Sequence, residues 1–339
     1  MLNPALPYPL LRLLEDHGAS HLPRYAPFGH TDHGPMAYLA MHGLGLTQRN
    51  IQAFAAGYRQ RLTPMPKPRE TLHRHTWQRM LGHADAYPEL VQFFATEVRD
   101  SGWQGTLERY LPGLASGWVK DLFHPLIRLA YAIQFEAPAE VATGLAYLAS
   151  LGDDPRLARA AKLGPLAVSA SGYLRCLPAQ VGTEPPPGLG PFNLRYRHAV
   201  DNSSLRPLAA SQGGLFSDLS RACLELFDAT HDFFALHLLT ASHAFRVCVP
   251  WIGAEAQGMF SVGIGAAYLA LGALPFAPLE RADSASLDKN ALAQATDEHD
   301  LKLAYSCRTL GEWDADPTYE WVAQRYLTPR LNRSVERVE

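Results

Sequence analysis

The chain has 339 residues, of which 47% are hydrophobic and 19% are charged, and its formal net charge is −3. A chain of this length buries about three quarters of its accessible surface on folding, so a large core forms without disulfides or metals, and disorder is excluded for most of it. Thirty Lys and Arg residues against 33 Asp and Glu residues leave no basic surplus, which argues against nucleic acid as a partner.

Apolar residues recur at helical spacing along nearly the whole chain. Pro35 in a first turn and Gly43 near an end delimit a predicted helix in 33–45, and Thr47 is placed to cap the next one. Further helices are predicted at about 75–83, 88–100, 104–111, 122–136, 138–150, 155–163, 217–230, 232–248, 258–272, 288–310 and 317–327. Segment 166–175 is a strand or helix candidate, and strand patterns are otherwise scarce. The predicted fold class is all-α.

The helical pattern breaks at 177–215, which is dense in Pro, Gly, Ser and Asn. One interpretation is a linker between two halves. The other is a long irregular excursion that covers the entrance to a site, as long loops in compact proteins often do. The aromatic and arginine residues within it favour the second interpretation, so we predict a single large helical domain over 1–330. The tail 331–339 is predicted to be frayed.

The cysteines and the termini bear on cellular location. The four cysteines are far apart in sequence and form no CxxC pair, which predicts buried free thiols in a reducing, cytoplasmic setting. The N-terminal residues lack the basic region of a signal peptide. The stretch 256–279 carries no charge and is long enough to span a bilayer, but its glycines and prolines and the lack of a basic flank favour a buried core helix. No membrane partner is therefore predicted.

Histidine is unusually frequent, with 14 residues, and four of them lie on separate predicted helices: His33, His124, His237 and His299. Helical proteins commonly build metal sites by directing one side chain from each of several helices into a shared core. A single histidine on an apolar helix face is, however, more often a hydrogen-bonded core residue. Imidazole binds Fe, Zn, Cu and Ni, so the residue type leaves the metal open.

Lys302 follows His299 by three positions, so both side chains project from the same helical face. An ammonium group has no lone pair and binds no metal, but burial lowers the pKa of a lysine and favours the neutral amine. A neutral amine reacts with carbon dioxide to give a carbamate, which offers two oxygens as a carboxylate does. The alternative is an ordinary ion pair with Asp297 or Glu298.

Motifs for other chemistries fail on inspection. Gly263 and Gly265 begin a dinucleotide-type pattern, but Tyr268 stands where a third Gly or Ala is required, and no strand precedes it. Flavin and nicotinamide cofactors are therefore not supported. The chain lacks a GxSxG elbow and a phosphate-binding GxxxxGK[ST] loop. Two His-Asp dipeptides weakly indicate a metal-dependent phosphohydrolase.

Five segments together resemble the questin oxidase-like family, over roughly 26–309. They are HGPMAYLAMHGLG (33–45), FHPLIRLAYAIQFE (123–136), ATGLAYLASLG (142–152), LHLLTASHAFRVCVP (236–250) and DEHDLKLAYSC (297–307). The resemblance implies an all-helical oxidoreductase that acts with molecular oxygen, by Baeyer–Villiger-like or ring-cleaving chemistry, on anthraquinone-type polyketides. It places His33, His124, His237, His299 and Lys302 at the polar positions of a metal centre.

The resulting prediction is a non-haem Fe(II) oxygenase of an aromatic polyketide or another electron-rich phenol, with carbamylated Lys302 as a ligand. Arg128 and His243 are the candidate catalytic residues. Arg128, one turn after His124, pairs with the carbamate, with a phenolate, or in an ordinary salt bridge. His243 stands six positions from His237 and points away from its face, which leaves a supporting or substrate-facing role open.

Candidate walls for a flat substrate are aromatic residues near the histidines: Tyr38, Tyr131, Phe233, Phe234 and Trp251. Aromatic residues at helical spacing are otherwise ordinary core. Two other function classes stay open, a metal-dependent hydrolase with the same ligands and a helical binding protein for aromatic ligands. The oligomeric state is not predicted.

Overall fold

The computed structural model confirms the all-α class. Regular structure in its described residues is helical apart from one two-stranded antiparallel sheet and two isolated bridges. The described residues are 5–27, 29–178, 192–202, 204–209, 214–275 and 278–335.

The two strands are β1 (Arg24–Tyr25) and β2 (His30–Thr31), and the helices follow in chain order. They are α1 (Tyr8–Ser20), α2 (Gly34–Gly43), α3 (Gln48–Tyr58), α4 (Tyr87–Leu114), α5 (His124–Gln134), α6 (Pro138–Leu151), α7 (Pro155–Ala160), α8 (Ala170–Cys176), α9 (Phe192–Asn202), α10 (Leu215–Thr230), α11 (Phe233–Ile252), α12 (Ala256–Ala270), α13 (Lys289–Leu292), α14 (Glu298–Asp314) and α15 (Thr318–Val335). Short 3-10 helices are Arg59–Arg61, Trp77–Met80, Ala84–Ala86, Ala115–Gly117 and Lys120–Phe123.

The chain divides into two compact units, and each is built from separated stretches of sequence. Unit 1 comprises Met1–Thr106, Ile127–Ser150 and Glu280–Glu339, and unit 2 comprises Leu107–Leu126 and Leu151–Leu279. The assignment of 1–330 to one domain stays a prediction.

The core of unit 1 is formed by α2 and α14, which pack against each other. Every residue of α2 from Gly34 to Met41 is buried, and α2 also contacts α1 and α3. Gly43 allows the close approach, because a Cβ at this position would collide with the rings of Tyr305 on α14 and of Phe135. Each large apolar side chain buried in this way contributes roughly 1.5–3 kcal/mol.

The core of unit 2 is organised around α12, which contacts α7, α8, α9, α10 and α11. A Cβ at Gly263 would collide with the indole of Trp118, so the glycine permits this ring to pack on α12. The prediction that the uncharged 256–279 stretch is a buried core helix is confirmed for α12. Helix α11 is long and apolar enough to cross a membrane, but 67% of its most apolar window is buried, as in the core helix of a globular protein.

Three predicted elements differ from those observed. The predicted helix 75–83 is only the 3-10 helix Trp77–Met80, and Gly82 follows it with φ 80°. The predicted helix 288–310 is two helices, α13 and α14, because Asp288 and Asp297 each cap a separate helix start. The predicted tail 331–339 is helical as far as Val335, and 336–339 lie outside the described residues.

The 177–215 excursion is in part helical. Residues 192–202 form α9, in which Phe192, Tyr196 and Ala199 recur at helical spacing and are buried. This segment contains neither Pro nor Gly, and the composition of its flanks obscured its periodicity. Residues 179–191 lie outside the described residues, so the covering role stays a prediction.

The four cysteines are free thiols as predicted, but Cys176 is exposed and not buried.

Candidate metal centre

Unit 1 brings together two of the predicted ligands, His33 and His299. His33 is the residue that precedes α2, and His299 lies in the first turn of α14. Their ring centroids are 4.6 Å apart with an edge-to-face angle of 84°. The His33 Nδ1 atom lies 3.3 Å from Oε1 of Glu298. The packing of α2 on α14 therefore places two imidazoles side by side, as the sequence prediction requires.

Asp297 both starts α14 and orients the ring of His299. Its Oδ1 accepts hydrogen bonds from the backbone N–H of His299 and from Nδ1 of the same residue, each at 2.9 Å. Burial raises the pKa of Asp297, but the hydrogen bond and charge of His299 and the charge of Arg330 outweigh it and lower this pKa to about 2. Asp297 is therefore a carboxylate at neutral pH.

The neutral form of His299 is favoured, because burial and then the charge of Lys302 lower its pKa. A neutral imidazole that donates from Nδ1 carries its lone pair on Nε2. Histidine ligands of metals typically show this arrangement, in which a carboxylate or carbonyl accepts the other N–H and raises the basicity of the ligand nitrogen. The contact of His33 with Glu298 gives that ring the same orientation.

Lys302 lies one turn further along α14 and is fully buried. Its Nζ has no hydrogen-bond partner within the described part of the chain. Burial lowers the pKa of Lys302 to about 8, although the carboxylates of Glu298 and Asp297 act in the opposite direction. The ion pair with Asp297 or Glu298 that the sequence left open is thus not formed at hydrogen-bonding distance.

Unit 2 brings together the other two predicted ligands, His124 and His237. His124 opens α5 and His237 lies within α11, as predicted, and their ring centroids are 5.0 Å apart. Both rings are buried. The Nδ1 atoms again face oxygen acceptors, the backbone carbonyl of Asp121 at 2.6 Å and that of Phe233 at 2.8 Å. The lone pairs of this pair therefore also lie on Nε2.

The turn that precedes His124 has an unusual backbone. Asp121, Leu122 and Phe123 adopt left-handed conformations with φ of 54°, 53° and 67°. Such residues each cost on the order of 1–3 kcal/mol and concentrate at functional sites. The backbone N–H of Asp121 donates to Oδ1 of Asn193 at 2.7 Å, which helps to hold the turn. No glycine or asparagine in the turn itself signals this conformation.

The predicted ligands thus occur as two histidine pairs, one in each unit, with Lys302 beside the first pair. One cation shared by all four imidazoles stays a prediction. The sequence analysis named Asp297 and Glu298 only as ion-pair partners of Lys302 and missed their contacts with the rings. Ligand atoms of Asp297, Glu298 and His299 lie within 4.8 Å of one another.

Arg128 belongs to a buried ion-pair network in unit 1. This arrangement corresponds to the ordinary salt bridge, one of the three roles that the sequence left open for this residue. Its Nε and Nη2 donate to the two carboxylate oxygens of Glu140 at 2.8 and 3.2 Å. Its Nη1 lies 3.7 Å from Oδ2 of Asp32. That oxygen also bonds Nε2 of His17 at 2.7 Å, while Oδ1 of Asp32 accepts the backbone N–H of Gly34 at 2.9 Å. The network therefore holds the start of α2, directly beside His33.

His243, the second candidate catalytic residue, is fully buried in α11 of unit 2. Burial and then the charge of Arg246 lower the pKa of His243 to about 3. The ring is therefore neutral at physiological pH, and a role as a proton donor is disfavoured. Among the candidate aromatic walls, Tyr38 and Tyr131 are core residues with no exposed surface, whereas Phe233 is 51% exposed.

A cleft of about 730 Å³ lies in unit 1 and is lined by residues of α2 and α3, by Gln60 and Arg61, and by 293–296. Its wall residue Tyr58 accepts the backbone N–H of His33 at 2.6 Å. Arg61, also on the wall, donates from Nη2 to Oε2 of Glu298 at 3.2 Å. The sequence analysis named neither residue, because nothing in the local pattern distinguishes them from other residues of a surface helix.

Comparisons with known proteins support the resemblance. The family model described as questin oxidase-like matches residues 30–208. A Baeyer-Villiger oxidase, notM, of Aspergillus sp. (strain MF297-2) is 36% identical over 67 residues, which are 18% of this chain. Questin oxidases of Aspergillus terreus and Aspergillus fumigatus are each 32% identical, over 77 and 76 residues, or 21% and 20% of this chain.

Each of these alignments covers 17% of the relative's own length. The family model, in contrast, spans 179 residues (208 − 30 + 1), more than half of the 339 in the chain. The matched range contains His33 and His124, one member of each histidine pair. The chain therefore belongs to the questin oxidase-like family.

Proposed function

We propose that this protein is an oxygenase that depends on non-haem iron and acts on an aromatic polyketide or another electron-rich phenol. Family membership and the oxidases among its relatives support the oxidative class. One observation carries the metal dependence. The buried His33 ring and the largely buried His299 ring lie side by side, and each directs Nδ1 to a carboxylate near Lys302.

The donor set fits Fe(II). Imidazole nitrogen is a good ligand for iron, and a carbamate on Lys302 would add an anionic oxygen that balances the charge of the cation. His33, His299 and Lys302 would hold the metal in unit 1, and His124 and His237 complete the predicted ligand set. When bound, iron supplies one-electron chemistry toward dioxygen.

The side chains around the pair prepare it for this role. Asp297 and Glu298 fix the ring orientations and keep Nε2 as the basic nitrogen of each imidazole. The low exposure of the two side chains, 6% for His33 and 14% for His299, limits the access of water. Burial lowers the pKa of Lys302, which favours the neutral amine. The amine nitrogen attacks the carbon of carbon dioxide and loses one proton, which yields the carbamate.

The oxygen balance distinguishes two reactions. Baeyer–Villiger oxidation inserts one oxygen atom between a carbonyl carbon and its neighbour, and the other atom leaves as water. This reaction consumes two electrons and two protons from a reductant such as a reduced nicotinamide. Ring-cleaving dioxygenation places both oxygen atoms in the product and needs no reductant.

Metal analysis combined with oxygen uptake tests the proposal. The purified full-length chain is assayed with a hydroxylated anthraquinone, with and without a reduced nicotinamide, under isotopically labelled oxygen. Iron in the protein, uptake and label in the product support the proposal. Zinc or manganese without uptake indicates the hydrolase, and substrate binding without any metal indicates the binding protein. Either of these two results overturns the proposal.

Single alanine variants of His33, His124, His237 and His299 test the shared ligand set. If one cation uses all four imidazoles, each variant loses the same single equivalent of bound iron. If the two pairs are independent, variants of one pair leave the other pair's metal in place. Circular dichroism of each variant controls for folding.

A further inference from the structure

The cleft in unit 1 combines a polar rim with an aromatic wall, in which Phe54 is partly exposed and Tyr58 is buried. The rings of Phe54 and Tyr58 stack with centroids 5.7 Å apart and an interplanar angle of 17°. Met41 and Ala295 are buried at its floor, whereas Gln60 on the rim is exposed. Its volume of about 730 Å³ lies in the range of sites that bind small organic molecules.

Arg61 supplies a positive charge at this wall. Its guanidinium lies 4.1 Å from the centroid of the Tyr58 ring, and one of its nitrogens bonds Glu298. The Arg61 side chain is 42% exposed, while that of Glu298 is 8% exposed. A ligand in the cleft can therefore reach Arg61 more readily than Glu298.

We infer that this cleft binds a planar aromatic compound that carries an ionised oxygen group, a phenolate or a carboxylate, and that Arg61 selects for the anion. The ring of Phe54, which is partly exposed, accepts the flat face of the ligand. The guanidinium offers a planar fork of N–H donors, which matches the oxygens of an anion and forms stronger hydrogen bonds than a neutral donor. The identification of this ligand as the substrate rests on the proposed function.

Three contacts connect the cleft to the histidine pair. Arg61 bonds the same carboxylate, Glu298, that faces Nδ1 of His33. Tyr58 accepts the backbone N–H of His33. The wall segment 293–296 leads directly into Asp297, the residue that orients His299. A ligand that draws Arg61 away from Glu298 therefore leaves this carboxylate to His33 alone, which strengthens the imidazole as a ligand.

Binding of two fluorescent probes tests the selectivity. Affinities of 2-naphthoate, an anion, and 2-naphthamide, its neutral isostere, are measured on the full-length chain as purified. Arg61→Gln is expected to weaken 2-naphthoate by roughly 10- to 100-fold, because a hydrogen bond between charged groups is lost, and to leave 2-naphthamide within about twofold. Arg49→Gln is the matched control, since Arg49 is exposed on α3 and does not line the cleft.

Unchanged 2-naphthoate affinity in Arg61→Gln, or an equal loss in Arg49→Gln, overturns the inference. An equal loss for both probes in Arg61→Gln also overturns it, because it indicates a collapsed cleft and not a lost anion contact. Arg61→Lys keeps the positive charge but lacks the planar fork of donors. Compared with Arg61→Gln, it is expected to recover part of the affinity for 2-naphthoate and to leave the affinity for 2-naphthamide unchanged.

The connection between the cleft and the histidine pair is tested by measuring metal affinity. Fe(II) affinity is titrated with and without saturating 2-naphthoate, and by reciprocity the metal changes probe affinity by the same factor. A several-fold increase in the parent that is absent in Arg61→Gln supports the connection through Glu298, and no increase in the parent refutes it. If no metal binds at all, the proposed function fails while the selectivity of the cleft for the anion is still decided by the probes.

Discussion

The two histidine pairs are supported in different ways. In unit 1 the acceptors of the Nδ1 groups are the side-chain carboxylates of Glu298 and Asp297. In unit 2 the acceptors are main-chain carbonyls, those of Asp121 and Phe233. A carboxylate adds negative charge behind the ring and strengthens it as a ligand, whereas a carbonyl fixes the tautomer without adding a charge. Charge-dependent tuning is therefore concentrated in unit 1.

The fully buried Lys302 of unit 1 and the half-buried Lys120 of unit 2 differ in the hydrogen bonds of their Nζ atoms. Lys302 in unit 1 has no hydrogen-bond partner for Nζ among the described residues. Lys120 in unit 2 donates from Nζ to the carbonyls of Leu151 and Asp153, both at 2.8 Å. A satisfied ammonium group stabilises local structure, while an unsatisfied buried amine is costly and indicates a chemical role. The comparison yields four predictions, in order of decreasing effect.

The largest effect is expected for Lys302→Arg. Arginine keeps the positive charge but forms no carbamate, so this variant should lose iron binding and oxygen uptake while keeping its circular dichroism spectrum. Lys302→Ala should behave in the same way, with partial rescue by bicarbonate or a short carboxylate. Labelled bicarbonate should give a carbamate carbon signal in the parent only. Lys120→Arg is the control and should retain its metal, and an iron-loaded, active Lys302→Arg variant would rule out the ligand role.

The next largest effect concerns stability. Glu140→Gln leaves the fully buried Arg128 without its bidentate partner, and breaking a buried pair from one side costs about 3–5 kcal/mol. The exposed pair of Glu15 with Arg12 provides the control, because Glu15→Gln should cost no more than about 1 kcal/mol. Urea unfolding measures both. Equal free energies of unfolding for the two variants would show that the Arg128 network does not stabilise unit 1.

A third prediction compares the carboxylate acceptor behind a histidine of unit 1 with the carbonyl acceptor behind a histidine of unit 2. Asp297→Asn removes the carboxylate behind His299 and is expected to lower iron affinity by about 10- to 100-fold. Asp121→Asn is the matched change in unit 2. The acceptor there is the backbone carbonyl, and asparagine tolerates the left-handed conformation of this residue, so iron affinity should stay within about twofold. Comparable losses in competition titrations of the two variants would contradict the distinction.

Sequence periodicity was sufficient to place His124, His237, His299 and Lys302 on helices and His33 at a helix start, because buried helices repeat their apolar residues in a regular way. It failed where the signal is not periodic. The left-handed turn 121–123 has no glycine, and α9 is hidden between Pro- and Gly-rich flanks.

The partners of the ligands were harder to predict, because pairing depends on how distant segments fold together. The network of His17, Asp32, Arg128 and Glu140 spans 124 positions (140 − 17 + 1), and no local rule joins its members. One local signal was available. An acid directly precedes each member of the histidine pair in unit 1, Asp32 before His33 and Glu298 before His299. Asp32 stands one residue before the N-cap His33, and its carboxylate accepts the backbone N–H of Gly34 in the first turn of α2.

The smallest expected effect is the pH dependence of an ion pair in unit 2. Burial raises the pKa of Asp154, but hydrogen bonds from the Arg156 side chain and backbone, the charge of Arg156 and a hydrogen bond from Tyr196 lower it overall. A depressed folded pKa stabilises the protein above the unfolded value, near 3.9, and this contribution is lost as the pH falls through the folded pKa. Arg156 is 31% exposed, so water weakens the pair, and Asp154→Asn should destabilise the protein less than Glu140→Gln does.

The difference in unfolding free energy between the parent and Asp154→Asn should be constant from about pH 7 to 5 and shrink below about pH 4. The other carboxylates titrate in both proteins and cancel, so a difference that stays constant into acid would show that the ionised form of Asp154 is not preferentially stabilised by folding.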